Sequence, residues 1–161
     1  MNENKKSTEE LLEDWLRRTR ESQFAHFGAA NSLSKTHLYL GIPAVVLSTA
    51  VGTTIFASLQ EKSDTKIQIA IGTVSLLTAT IVALQTFLKL EERAEKHRTA
   101  GAAYGSVRRE IQQLLHTEFG DDMSLVINPL RSRLDDLALE SPKISERIWK
   151  ATENKLSGYV S

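Results

Sequence analysis

Cysteine is missing from this 161-residue chain, which excludes disulfides, thiol redox chemistry and cysteinyl metal sites. Proline is scarce: Pro43, Pro129 and Pro142 are the three, so long helices meet few interruptions. Neither sign of charge is in excess. Residues 1–37 carry six basic and six acidic side chains, residues 60–66 two of each, and residues 89–161 twelve of each. A nucleic-acid partner is therefore not expected, because gripping phosphates needs a basic surplus on one face. Low-complexity tracts, solenoid periods and convincing strand alternation are lacking as well.

Charge itself is absent from two stretches. Thr36–Gln60 has none, Ile67–Leu88 has none, and only residues 61–66 separate them. About 22 helical residues span roughly 33 Å, enough for a hydrocarbon layer of ~30 Å. Leu38–Leu59 contains ten Leu, Ile, Val or Phe residues and Ile67–Leu88 contains eleven. At about −0.3 to −0.6 kcal/mol each, the gross insertion energy is roughly −3 to −7 kcal/mol per segment before polar corrections. The spans are adequate rather than strongly apolar. A buried hairpin in a soluble bundle is the competing reading, but the flanking helices are charged and offer one narrow apolar face each.

The expected fold class is all-α. Its organisation is an N-terminal cytoplasmic helix (1–37), a transmembrane hairpin (38–59 and 67–88, joined by a short extracytoplasmic loop at 60–66) and a cytoplasmic helical region (89–161). The short loop makes the spans antiparallel. Arg18, Arg20 and Lys35 precede the first, and Lys89, Arg93, Lys96, Arg98 and Arg108 follow the second. The loop has only Lys62 and Lys66. The positive-inside rule then places both termini in the cytoplasm. The first apolar run starts near residue 38, which argues against a cleaved leader.

Residues 1–6 read as disordered, and Ser7-Thr8-Glu9-Glu10 reads as a capping box that opens a helix. Leu12, Trp15, Leu16, Thr19, His26, Ala30 and Leu33 form its apolar seam. This helix is expected to run into the first span. The second span is expected to continue as a helix with the seam Leu90, Ala94, His97, Gly101, Tyr104, Val107, Ile111 and Leu114, ending near Phe119-Gly120. Two short helices follow in expectation. One runs from Asn128-Pro129 to Leu139 with Leu130, Leu134 and Leu137 inward. The other runs from Ser141-Pro142 to Leu156 with Ile144, Ile148, Trp149 and Thr152 inward, and Gly158 ends it.

Catalytic chemistry has little to build on. His26, His37, His97 and His116 show no metal-ligand spacing, and no glycine-rich loop follows a strand. Asp121-Asp122 and Asp135-Asp136 suit capping and solvation. The chain is expected to be no enzyme and to use no cofactor or metal. Neither span holds an ionisable residue, which argues against a proton relay, a voltage sensor or a transporter.

Within the spans, Ala44, Ser48 and Gly52 recur on one face, and Gly72, Ser75, Ala79 and Ala83 on another. Small residues let membrane helices approach closely, within the hairpin or between copies. Thr49, Thr53, Thr78 and Gln85 give a polar stripe. It either lines a water-filled path in a homo-oligomer or satisfies itself on carbonyls of its own helix or its neighbour. Gly41 and Pro43 are hinge candidates at the entry to the first span, where proline removes a backbone donor. His97, Tyr104 and Arg108, beside Gly101, share a helical face that suits an anionic ligand or a partner, or packing against the N-terminal helix.

In order and spacing the chain resembles the SLATT family of small two-span proteins of bacterial conflict systems. The resemblance rests on the charged helix Leu11–Leu33, the entry His37-Leu38-Tyr39-Leu40-Gly41-Ile42-Pro43-Ala44 and the short hairpin loop. It rests further on Glu92-Arg93-Ala94-Glu95-Lys96-His97-Arg98-Thr99-Ala100-Gly101-Ala102-Ala103-Tyr104, on Leu134-Asp135-Asp136-Leu137, and on Ser141-Pro142-Lys143-Ile144 through Trp149. It implies an inner-membrane effector that oligomerises and opens a pore on an infection-linked signal, causing growth arrest or death of the host cell in anti-phage defence. It also implies a separately encoded nucleotide-signalling or sensor protein as partner. From the residues themselves, the alternative is a membrane-anchored helical scaffold that recruits a cytoplasmic partner.

Overall fold

The computed structural model describes residues 2–58, 65–116 and 124–157, and among them every regular element is a helix. In chain order these are α1 (Asn2–Ser58), α2 (Thr65–Leu88), α3 (Leu90–Leu115), α4 (Ser124–Glu140) and α5 (Glu146–Ser157). Two compact units emerge, one of residues 1–31 with 94–161, the other of residues 32–93.

The first unit is built on the seams written into its helices. Leu12 of α1, Val107 and Ile111 of α3 and Leu130 of α4 form a buried cluster, and Trp15, Leu16, Leu114, Leu115, Leu134 and Leu137 pack against it. Burying four such side chains contributes about 1.5–3 kcal/mol each relative to exposure. Ala25, Ala29 and Ala30 are buried on α1, as are Ala94 and Ala100 on α3. Exposed ion pairs such as Arg17–Asp14 at 2.8 Å and Arg133–Glu110 at 2.7 Å lie outside this core. Pairs of that kind add little.

The second unit holds the apolar stretches as two long helical segments, both candidates to cross a membrane by length and composition. In the most apolar 18-residue window of each, only 6% is buried. Val45, Val46, Leu76 and Leu77 are 58–70% exposed, and Phe87 is 83% exposed. The described chain therefore does not cover these helices as a soluble bundle covers its core helices.

Several boundaries differ from expectation. α1 begins at Asn2, so Ser7 is not its N-cap. A helix once nucleated propagates through residues of fair propensity, and the Glu and Lys residues upstream qualify. α1 also runs unbroken through Pro43. α4 begins at Ser124, four residues before Asn128, which puts Pro129 inside the helix. Its missing amide falls early in the helix, where it removes only the bond to the exposed Leu125. α5 begins at Glu146 instead of beside Pro142. The Ser145 carbonyl accepts from the amides of Ile148 and Trp149 at 3.0 and 3.1 Å, and Glu146 supplies an acid to the first turn. The expected features at Leu59, residues 60–64, Phe119-Gly120, Asp121-Asp122 and Gly158 lie outside the described residues.

The second span does not flow directly into α3. Lys89 interrupts it with φ of 46°, although the Lys89 amide still reaches the Gln85 carbonyl at 3.2 Å and the Arg93 amide reaches Lys89 at 3.0 Å. A left-handed residue other than glycine is costly, and most costly with branching at Cβ. Lys89→Val is expected to destabilise the protein by about 1–2 kcal/mol, and Lys89→Asn by less. Thermal midpoints in one detergent check this; equal midpoints for the two variants would contradict it.

Candidate functional site

In the second unit, the hydroxyls of the apolar helices turn inward on their own backbone. Thr49 donates to the Val45 carbonyl at 2.9 Å, Thr53 to Thr49 at 2.9 Å, Ser75 to Ile71 at 2.8 Å and Thr78 to Val74 at 2.8 Å. Thr54, Thr73, Thr80 and Thr86 do the same, at 2.8–3.0 Å. A hydroxyl satisfied in this way needs no water, so each can face a medium without hydrogen-bonding partners. The threonines of the polar stripe thus donate to their own helix, which leaves their oxygen lone pairs free toward a neighbouring copy or water.

Gln85 is the exception. It is half-buried, and its Nε2 donates to the His37 carbonyl across the hairpin at 3.1 Å. Gly41 makes room for it, since a Cβ there would stand 3.1 Å from that same nitrogen. Gly41 is thus a packing residue for Gln85. Together with Ala44, Ser48, Thr49 and Val82, these two line a groove of about 620 Å³. Thr53 and Thr78 do not line it, and Thr78 is buried elsewhere on α2.

The small-residue faces are only partly occupied. Ala44 is 3% exposed, whereas Ser48, Gly72, Ala79 and Ala83 are exposed and Gly52 and Ser75 half-buried. A Cβ added at Gly52 or Gly72 would meet nothing within 4 Å. Among the described residues, neither glycine is needed for helix approach. Pro43 is also exposed.

In the first unit, α1 and α3 bring together two histidines 71 positions apart. His26 and His97 are 2% and 6% exposed, and their Nδ1 atoms lie 3.0 Å apart. A hydrogen bond at that distance needs one ring to carry its proton on Nδ1 and the other on Nε2, so the contact fixes opposite tautomers for the two imidazoles. Tyr104 stacks on His26 with ring centroids 5.5 Å apart and planes at 17°. Burial, and then the repulsion of a charge on His97, push the His26 imidazole down to about 4 from its ordinary 6.5. His26 is therefore neutral at pH 7.

Glycines permit this contact of helices. At Gly101 an added Cβ would stand 3.2 Å from the Phe27 ring, and at Gly105 it would stand 2.6 Å from Gln23 Nε2. Of the three residues expected to form a ligand face, His97 and Tyr104 join His26 in one cluster. Arg108, one turn beyond Tyr104, is half-buried, and its Nε makes no hydrogen bond among the described residues. The pairing of His26 with His97 escapes spacing rules along one helix. Its signal in the sequence is that each of two facing seams carries one histidine.

No cluster of three or more His, Cys, Asp or Glu side chains with metal-holding geometry occurs among the described residues. Compared with family models, curated proteins and solved structures, the chain matches none.

Proposed function

We propose that this chain is a two-span membrane protein, both termini cytoplasmic, that self-associates through its hairpin and perforates the bilayer. The observation that carries this reading is the pair of adjacent apolar helices left uncovered by their own chain, with their hydroxyls already satisfied internally. Lipid suits such a surface, and so does a second copy. The open space around Gly52 and Gly72 supports close approach by a neighbouring copy. The resemblance to SLATT effectors adds the biological setting: an inner-membrane pore opened on an infection-linked signal, delivered by a separately encoded sensor.

Dye-loaded vesicles containing the purified chain test this. Leakage is expected to rise more steeply than linearly with the protein-to-lipid ratio, because several copies must assemble around one opening. Vesicles that stay intact at every ratio would overturn the pore. Gly52→Leu is expected to leave helix content unchanged and shift the detergent or nanodisc oligomer profile toward smaller species. An unaltered profile would mean that this face looks at lipid.

A second reading, a membrane-anchored scaffold, draws support from the separate core around Leu12, Val107, Ile111 and Leu130, which gives the chain a packed head of its own. Replacing the hairpin by an unrelated two-span anchor separates the two: a scaffold keeps its cellular effect and a pore loses it.

A further inference from the structure

Between α1 and α5 the first unit contains a groove of about 740 Å³, in the size range of small-molecule sites. Its floor is apolar: Phe24 and Phe27 are 45% and 39% exposed there, next to Ile148 and Leu156. Gly28 also lines it, and a Cβ there would make only ordinary contact with Ile148 Cγ2 at 3.5 Å. Arg20, Arg147 and Lys155 also line it, and no Asp or Glu does. Other cations divide: Arg17, Arg18, Arg131, Arg133 and Lys150 pair with a carboxylate, whereas Arg93, Arg109 and Lys143 make no ion pair among the described residues. What sets Arg20, Arg147 and Lys155 apart is their convergence on one apolar groove. The three groove cations make no ion pair among the described residues.

Three unneutralised cations beside an exposed aromatic floor call for a ligand with a negative head and an apolar body. With Arg20, Arg147 and Lys155 taken up by the anionic head, few groups are left to read a nucleobase edge. Asn31 contributes one amide, and the Thr152 hydroxyl is already committed to the Ile148 carbonyl at 3.0 Å. The apolar part of the ligand is held by contact alone, which fits an acyl chain. We propose that this groove binds an anionic single-chain lipid, its phosphate or carboxylate met by Arg20, Arg147 and Lys155 and its chain lying on Phe24 and Phe27.

The test uses the full chain in non-ionic detergent, titrated with 1-oleoyl lysophosphatidylglycerol and followed by native mass spectrometry. One adduct per chain is expected to bind about tenfold more tightly than lysophosphatidylcholine of the same chain length. The R20Q/R147Q/K155Q variant removes the charges, and Ala151→Trp fills the groove with the charges intact. Both are expected to lose that adduct while keeping the wild-type circular dichroism spectrum. Retention of the adduct in either folded variant would overturn the site. Equal binding of the choline lipid would overturn the role of the cations. Displacement of the lipid by adenosine monophosphate would overturn the acyl chain in favour of a nucleotide.

Discussion

Lysine at position 77 is expected to shift most of the protein out of the membrane-integrated fraction. Leu77 lies at the middle of the second apolar stretch and is 58% exposed. On the surface of a soluble protein such a change moves stability by no more than about 0.5 kcal/mol. At mid-bilayer, lysine costs about 2.5–3.5 kcal/mol, and the favourable leucine contribution is lost as well. Set against a gross insertion energy of roughly −3 to −7 kcal/mol, already reduced by the Thr, Ser and Gln residues, this tips the segment. Integration is expected to fall on the order of 100-fold, read as the protein left in vesicles after alkaline extraction, with Gln60→Lys beyond the span as the control. If Leu77→Lys remained fully integrated, or the wild type washed off, lipid would not be the solvent of α2.

Acid is expected to loosen the first unit through His26. In the folded chain His26 titrates at about 4, whereas the unfolded value is 6.5. Between those two values the unfolded chain binds the extra proton and the folded chain does not. Stability is therefore complete above pH ~6.5 and declines as the pH falls toward ~4. The expected loss is on the order of 1–3 kcal/mol after allowance for solvent screening. Carboxylates titrate at the lower end of the same window, so the comparison that isolates His26 is with His26→Asn. That variant keeps hydrogen-bonding capacity and cannot titrate at position 26, and its unfolding free energy starts about 1 kcal/mol lower for the altered contact with His97. Urea midpoints between pH 7.5 and 4.5 are expected to fall more steeply in the wild type. Parallel curves would show that the buried pair does not govern the acid response.

How far the fold was legible in the sequence depended on the kind of signal. Leu12, Val107, Ile111 and Leu130 lie where three- and four-residue spacing placed the seams, because periodicity is a property of one helix and needs no partner. Helix ends were less legible. Pro129 and Pro142 were both read as helix starts, yet α4 takes Pro129 inside its early turns and α5 waits for Ser145. Proline near a helix start is tolerated within a turn or two, so its position alone leaves the boundary open. Lys89 carried no sign of its left-handed backbone, since lysine is an ordinary helix former.

Site residues divided in the same way. That the threonines of the apolar helices donate to their own backbone is not legible in the sequence, because it belongs to hydroxyl rotation on a formed helix. At Gly41, a hinge candidate from its place beside Pro43, the structure adds a role the sequence does not show: it makes space for Gln85, 44 positions away along the chain.

The amino-acid order alone determined that this chain is helical and that two charge-free stretches need an apolar surround, because composition and period act locally. Only tertiary structure decided that His26 meets His97, that Gln85 reaches the His37 carbonyl, and that Arg20, Arg147 and Lys155 share one groove. Those facts depend on which faces of distant helices meet, and glycines such as Gly41, Gly101 and Gly105 allow the close approach there.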